Sequence, residues 1–343
     1  MADTGFAAGL DSATIPIVDF GKFLNGTDEE KKIVGKEIDD AFRNVGFVYL
    51  KNHGVSAQEV AQCFEWSKKF FDLPLETKML APHPPGGAHH RGYSAPGLEA
   101  VSQHVYDDDK IDEVRKTQPD YKESFESGNT TDASQPNIWP PDAVLPGFRP
   151  FLQSYFLTCT TLIHQILDSL STALDVPAPG LSPTHSKSLF QLRILHYPPI
   201  SAEELRGNKN RSRINAHSDF GTLTLLFQDA VGGLEIEDPH QPGTFRPAPP
   251  IPETVLVNIG DLMARWSNDR WRSTVHRVGV PQGFGDGEGV VPARYSIPFF
   301  ATADMETVIE ALPGCWGEAI PRKYDPVTAW GYVQMRMKAL YEE

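Results

Sequence analysis

The spacing of apolar positions changes character along the chain. Early on, "TIPIVDF" alternates and predicts a short strand. From Asp28 to Val45, the apolar residues Ile33, Ile38, Ala41, Phe42 and Val45 recur at helical spacing, with Thr27 or Asp28 placed to cap the start and Gly46 to end it. "FVYLKNHG" reads as a strand closed by a turn, and a second helix follows from about Ser56 to Phe71. Residues 74–100 are loop-like, and residues 101–143 are polar and acidic, with one short helix expected near 108–117. The strongest helical pattern is "GFRPFLQSYFLTCTTLIHQILDSLSTALDV". Phe151, Tyr155, Cys159, Leu162, Ile166 and Leu170 line one face of it, and Pro177 and Pro179 end it.

After residue 188 the period shortens. "LFQLRILHY", "TLTLLFQ", "GLEIED", "ETVLVNIG", "STVHRVGV" and "ARYSIPFFAT" all have strand length with β-branched or aromatic content. Evenly spaced strands of this kind suit a sandwich or barrel. The chain then returns to a helix in "AWGYVQMRMKALYEE". The pattern predicts one domain over 1–343. A helical and strand cap spans 1–140, a long backing helix 141–176, a β core 188–303 and a helical region 304–343.

Composition narrows the function. The formal net charge of -14 repels phosphate backbones, so no nucleic acid partner is expected. No apolar run approaches transmembrane length, so no membrane partner is expected either. Cys63, Cys159 and Cys315 give neither a disulfide framework nor a zinc motif. The first residues lack the layout of a secretory signal, and a cytoplasmic location is expected.

"RINAHSDFGTLTLLFQ" carries the first candidate chemistry. His217 and Asp219 stand two positions apart, so on a strand or its end they share a face. His276 lies on another expected strand. Two imidazoles and a carboxylate form the donor set that binds Fe(II) and leaves positions open for oxygen chemistry, although His/His/Asp also suits Zn(II) or Mn(II). A His-x-Asp pair alone is weak, because a lone His is more often only hydrogen-bonded.

"ARYSIPFF" adds weight. Arg294 and Ser296 share a face, and an Arg fork beside a hydroxyl is a receptor for a carboxylate. In "LRILHY", Arg193, Leu195 and Tyr197 share a face. If that face lines the interior, two buried arginines there would need an anion. A dicarboxylate cosubstrate would supply it; the plainer alternative is that Arg193 and Arg294 pair with buried carboxylates.

Taken together, His217-x-Asp219, His276, Arg294-x-Ser296, Tyr197-Pro198 and the N-terminal "IPIVDF … GFVYLKNHGV" resemble the isopenicillin N synthase-like group of Fe(II)/2-oxoglutarate-dependent dioxygenases. The likeness runs from about residue 14 to 335. "RGYSAPG", "KESFESG", "LRILHYP", "GDLMARWSND" and "RYSI" are similar to pieces of the fungal thymine dioxygenases (thymine 7-hydroxylases), and also to fungal secondary-metabolism dioxygenases. Two positions depart: Leu195 stands where plant members often carry Asn, and Phe220 where the thymine enzymes have Tyr.

The resemblance implies an α+β fold with a double-stranded β-helix (jelly-roll) core flanked by helices. It implies Fe(II) held by His217, Asp219 and His276, 2-oxoglutarate as cosubstrate held by Arg294, Ser296 and Tyr197, and O2 as oxidant. The expected reaction is oxidation, foremost hydroxylation, of a C–H bond, foremost of a methyl group, in a small planar or cyclic substrate, with succinate and CO2 as coproducts. Arg193, Phe220 and Phe300 are expected at the substrate, with Arg91 and Tyr93 in a lid; for the phenylalanines plain core packing is the alternative. Trp266 and Lys122-Glu123 read as structural. His53, His89, His90, His104, His164, His185, His196 and His240 show no partner pattern. Competing readings are a 2-oxoglutarate-independent oxidase of the same fold, desaturation or ring expansion at the same iron, and a barrel that only binds.

Overall fold

The computed structural model describes residues 14–85, 89–97, 120–207, 213–281, 284 and 289–341. The short helix expected near 108–117 lies outside the described residues, as does His104.

The strands are β1 (Ile17–Asp19), β2 (Phe47–Lys51), β3 (Gly92–Ser94), β4 (Glu123–Gly128), β5 (Gln191–Tyr197), β6 (Ile200–Ser201), β7 (Ile214–His217), β8 (Leu223–Gln228), β9 (Leu234–Glu237), β10 (Phe245–Pro247), β11 (Thr254–Ile259), β12 (His276–Val278), β13 (Val290–Val291), β14 (Arg294–Ala301), β15 (Val308–Ile309) and β16 (Val327–Thr328). The helices are α1 (Gly21–Asn25), α2 (Asp28–Asn44), α3 (Ala57–Phe71), α4 (Leu75–Lys78), α5 (Phe148–Ala173), α6 (Ala202–Gly207), α7 (Asp261–Trp266) and α8 (Ala329–Tyr341).

Local chemistry sets the helix starts. Thr27 caps α2 and Ser56 caps α3. In each, the side chain accepts from the backbone of the residue three on, and that residue, Glu30 or Glu59, reaches back. Gly46 after α2 has φ 80°, and a Cβ there would meet the Thr274 hydroxyl at 2.4 Å and the Arg272 carbonyl at 2.5 Å. Only glycine fits that turn into β2. On α2, Ile38, Ala41 and Phe42 are buried as the spacing implies, but Val34 is buried in place of Ile33, which is 52% exposed.

An eight-stranded sheet runs β1-β2-β11-β8-β14-β5-β4-β3, and a four-stranded sheet runs β10-β9-β12-β7. These are the layers of the double-stranded β-helix. Side-chain alternation divides the core in two. One face of the large sheet, with Val48, Leu50, Leu192, Ile194, Leu225, Val257, Ile297 and Phe299, packs with residues of α2, α3 and α5. The other face, with Phe47, Tyr49, Leu195, Tyr197 and Leu256, meets Ile214, Leu234, Ile236 and Val278 of the small sheet. That second face is the barrel interior, and the Arg193–Leu195–Tyr197 face of β5 belongs to it.

Among the described residues before 140, β1, β2, β3 and β4 are strands of the large sheet. β4 lies in the stretch read only as polar and acidic, because its buried residues are mostly polar: Glu123, Ser124, Glu126 and Ser127. After residue 304 the antiparallel β15–β16 pair precedes the last helix. No described helix is long and apolar enough to cross a membrane.

Candidate active site

His217 ends β7, and His276 begins β12 directly across from it, with ring centroids 4.4 Å apart. The β7–β12 register shifts just past this pair, between His276 and Val278. Such an irregularity re-aims side chains at a barrel rim. Asp219 stands beyond the end of β7. Its Oδ1 lies 4.0 Å from His217 Nε2 and 3.8 Å from His276 Nε2.

The outer atoms of all three side chains are engaged. His217 Nδ1 lies 2.7 Å from the Asn215 carbonyl, and His276 Nδ1 lies 3.2 Å from the Thr274 carbonyl. A carbonyl can only accept, so each Nδ1 carries the proton and each Nε2 presents a lone pair inward. Asp219 Oδ2 accepts from the Thr224 hydroxyl at 2.6 Å and the Asn258 amide at 2.7 Å, which leaves Oδ1 facing the imidazoles.

Burial, with His276 beside it, pushes His217 down to about 4, so the ring stays neutral at physiological pH. For Asp219 burial acts upward. His276, His217 and the Asn258 and Thr224 hydrogen bonds outweigh it and hold the carboxyl below its ordinary range. A neutral His217 imidazole and the Asp219 carboxylate, with Nε2 of His276 turned to the same point, suit a divalent ion.

Deeper in the barrel, Arg294 on β14 stands opposite Tyr197 on β5. Its guanidinium donates to the Ser296 hydroxyl at 3.2 Å and the Gln228 amide oxygen at 3.0 Å, and lies 4.8 Å from the centre of the Tyr197 ring. Arg213, just before β7, approaches the same ring at 5.9 Å. It donates to the carbonyls of Pro292 at 2.6 Å and Pro198 at 3.4 Å.

Arg294 and Arg213 are 1% and 0% exposed. Arg294 Nε and Arg213 Nε and Nη1 are buried without a hydrogen-bond partner. Among the described residues neither guanidinium forms an ion pair. Burial, then the neighbouring Arg294, pushes Arg213 down to about 10. Two buried cations met only by carbonyls, an amide and a hydroxyl form a receptor for an anion.

The partner of Arg294 is therefore Arg213, which the sequence reading passed over, and not Arg193. Arg193 shares the interior face, but its guanidinium is ion-paired with buried Glu126 on β4. This is the plainer alternative weighed for it. Phe300 keeps the alternation of β14: Pro298 still pairs with Leu226, and Phe300 stands opposite Thr224, the residue that holds Asp219. Phe220, next to Asp219, is 46% exposed.

The expected lid pair is corrected. Tyr93 is buried in the helix-side core, where its hydroxyl donates to Glu123 at 2.6 Å. Arg91 is buried too, donating to the carbonyls of Gln135 and His90, with Asp132 at 3.5 Å. Both are tied to structural partners, and among the described residues neither shares a hydrogen bond or ion pair with a triad residue. Glu123 also binds Lys78 at 2.8 Å and His196 at 2.7 Å, so its structural reading stands. A separate cavity of about 710 Å³ is lined by Asp238, Asp261, Arg272, Lys323 and Tyr332 among others, and by no triad residue.

Thr224, Asn258 and Arg213 were the residues missed. A signal existed for two of them. Asn258 is a lone amide in the apolar run "TVLVNI", and Arg213 shares parity with Asn215 and His217.

Comparison with known proteins decides the family. Residues 189–303 match the 2OG-Fe(II) oxygenase superfamily, and residues 15–142 match the non-haem dioxygenase in morphine synthesis N-terminal family. The chain is 37% identical to the 2-oxoglutarate-dependent dioxygenase frbA of Dothideomycetidae sp. (strain 11243), over 96% of this chain and 97% of that one. The chain belongs to the 2OG-Fe(II) oxygenases. Proline hydroxylase buaE of Petromyces alliaceus is 37% identical, over 94% of this chain and 98% of the relative. The crystal structure of full-length Neurospora crassa thymine 7-hydroxylase with α-ketoglutarate superposes with a TM-score of 0.85 at 38% identity, covering 97% of this chain and 99% of that one. Another structure of that protein contains α-ketoglutarate and thymine.

This 2OG-Fe(II) oxygenase is thus an oxidoreductase whose family uses Fe(II), 2-oxoglutarate and dioxygen. The residues present fit that set. One carboxylate and two correctly oriented imidazoles suit the iron, and two buried guanidiniums with no ion-pair partner among the described residues suit the far carboxylate of a dicarboxylic acid.

Proposed function

We propose that this enzyme hydroxylates a C–H bond, foremost of a methyl group, in a small planar or cyclic molecule, and releases succinate and carbon dioxide. The observation that carries the reading is the buried Arg294–Arg213 pair, two cations with no ion-paired carboxylate among the described residues, on the barrel face shared with Tyr197.

In this reading His217 Nε2, His276 Nε2 and Asp219 Oδ1 hold Fe(II). Arg294, Ser296 and Tyr197, with Arg213 added, hold the distal carboxylate of 2-oxoglutarate. When bound, the iron and the 2-oxo acid supply the oxidising power: dioxygen is reduced as 2-oxoglutarate is decarboxylated and one oxygen atom enters the C–H bond. The chain's part is placement. Asn215 and Thr274 lock the imidazole tautomers through their carbonyls. Thr224 and Asn258 fix which oxygen of Asp219 turns inward. Gln228 and Ser296 hold the Arg294 fork in one plane, pre-organised for a bidentate carboxylate.

Phe220, next to Asp219 in sequence, and Phe300, opposite Thr224 on the neighbouring strand, offer flat apolar surface for a ring to stack on. The Arg193–Glu126 pair adds polar character on the same interior face. The fungal relatives named above and the thymine-containing Neurospora crassa structure support a small substrate. With Phe220 where the thymine enzymes have Tyr, the pocket offers one hydroxyl fewer, so a less polar ring than thymine is favoured.

Succinate release in a panel of thymine, small methylated aromatics, amino acids and long aliphatic acids tests this. Stimulation by planar, methylated rings is expected. Stimulation only by amino acids or long chains would overturn the substrate class and leave the cosubstrate reading intact.

A further inference from the structure

A second group of two histidines and a carboxylate stands apart from the triad: His83, His90 and Glu126. Glu126 is on β4 and is 0% exposed. Its Oε1 is held by Arg193, while its Oε2 is buried with no hydrogen-bond partner. That oxygen faces His90 Nδ1 at 3.7 Å and His83 Nε2 at 4.0 Å. His83 Nδ1 lies 2.6 Å from the Pro84 carbonyl, so its proton sits there and Nε2 keeps a lone pair. Both features repeat the triad, whose carboxylate-to-imidazole distances are 4.0 and 3.8 Å.

We infer that His83 Nε2, His90 Nδ1 and Glu126 Oε2 form a second divalent-cation site of the zinc class. The gaps are too wide for direct hydrogen bonds, which end near 3.2 Å. They are close to the spacing of donors around one ion, since bonds of about 2.0–2.2 Å place neighbouring donors roughly 3.3–3.6 Å apart. Closing by a few tenths of an ångström is within reach of His90, which is half exposed. Two imidazoles and one carboxylate form a borderline-soft donor set that suits Zn(II). Arg193 offsets the charge of Glu126, so the site binds more weakly than the triad. An ion there would share Glu126 with Arg193 and fasten His83 and His90 to β4, one strand in from the sheet edge.

The test is zinc stoichiometry by equilibrium dialysis of the full chain followed by metal analysis. Wild type is expected to bind two ions, the His217→Ala/His276→Ala chain one, and His90→Ala or His83→Ala in that background none. In the otherwise unaltered chain, His90→Ala alone is expected to bind one, which needs no altered triad. A wild type that binds a single ion, or a second ion that survives both His90→Ala and His83→Ala, overturns the inference. Neither result bears on the iron or 2-oxoglutarate reading.

Discussion

The two histidine–carboxylate groups share a donor set and nearly the same spacing, yet they are built differently. In the triad both histidines stand opposite each other on paired strands, both Nδ1 atoms meet backbone carbonyls, and the spare carboxylate oxygen is held by Thr224 and Asn258. In the second group the histidines lie in the segment before β3, His90 is 48% exposed, and the spare oxygen of Glu126 is tied to a cation. The difference teaches that spacing proposes a metal site, and that the partners behind the ligands make it rigid and selective. The triad is set before any ion arrives; the second group closes on one.

Substitutions can break this contrast at several depths. Asp219→Ala has the largest expected effect: iron content falls to background and 2-oxoglutarate-dependent turnover is lost, while His90→Ala leaves the iron content unchanged. Metal analysis of the two chains side by side checks this. Arg294→Ala removes the fork on the cosubstrate, and the KM for 2-oxoglutarate should rise about 100-fold, from roughly 3 kcal/mol of lost charge pairing. A rise below about threefold would detach Arg294 from the cosubstrate.

Thr224→Val and Asn258→Ala leave the ligands in place but free the spare oxygen of Asp219. Iron affinity should fall about 10–100-fold, as for other residues that orient a ligand. A competition titration with a chelator measures it, and unchanged affinity would show that ligand spacing alone suffices. Arg213→Met should weaken 2-oxoglutarate about tenfold and leave the melting temperature of the cosubstrate-free chain equal or higher, because a buried cation without an ion-pair partner is replaced by an apolar chain of similar size. A clear loss of thermal stability without cosubstrate would contradict that.

The smallest effect concerns histidines outside both groups. Burial pushes His53 down to about 4 and His185 down to about 3, from an ordinary 6.5. Below pH 6.5 the unfolded chain takes up protons that the folded chain refuses. Stability therefore falls with pH at up to about 1.4 kcal/mol per unit for each histidine, levelling off below its folded value. Denaturant melts at pH 7 and 5 measure the loss, and His185→Asn should flatten it.

Much of the barrel was legible in the sequence, because its strands alternate or run apolar. Every strand expected after residue 188 is present, and the parity argument put Arg193, Leu195 and Tyr197 on one face, which the structure turns to the interior. The helices α2 and α3 were legible too, α2 through its helical spacing and Thr27 at its start, while the Glu30 and Glu59 halves of their capping boxes appear only in the structure. What stayed hidden was polar and buried. β4 looks like a loop because Glu123 and Glu126 are charged, and only partners distant in sequence, Lys78, His196 and Arg193, make their burial tolerable. The roles expected for Arg91 and Tyr93 failed for the same reason: the neighbours that claim them, Asp132 and Glu123, are on other strands and turns. The convergence of His217, Asp219 and His276 was readable because one spacing and one strand pairing define it. The supporting shell was not, because Asn258 and Thr224 reach Asp219 only through the pairing of β11 with β8.

The most direct measurement is an anaerobic visible absorption titration of the metal-free chain with Fe(II) and then 2-oxoglutarate. A broad, weak band that needs both additions, and that is lost in Asp219→Ala and shifted to higher 2-oxoglutarate in Arg294→Ala, is the expected result. Iron that binds without producing the band at any 2-oxoglutarate concentration would contradict the assignment of the Arg294–Arg213 pair, and with it the dioxygenase chemistry proposed for this site.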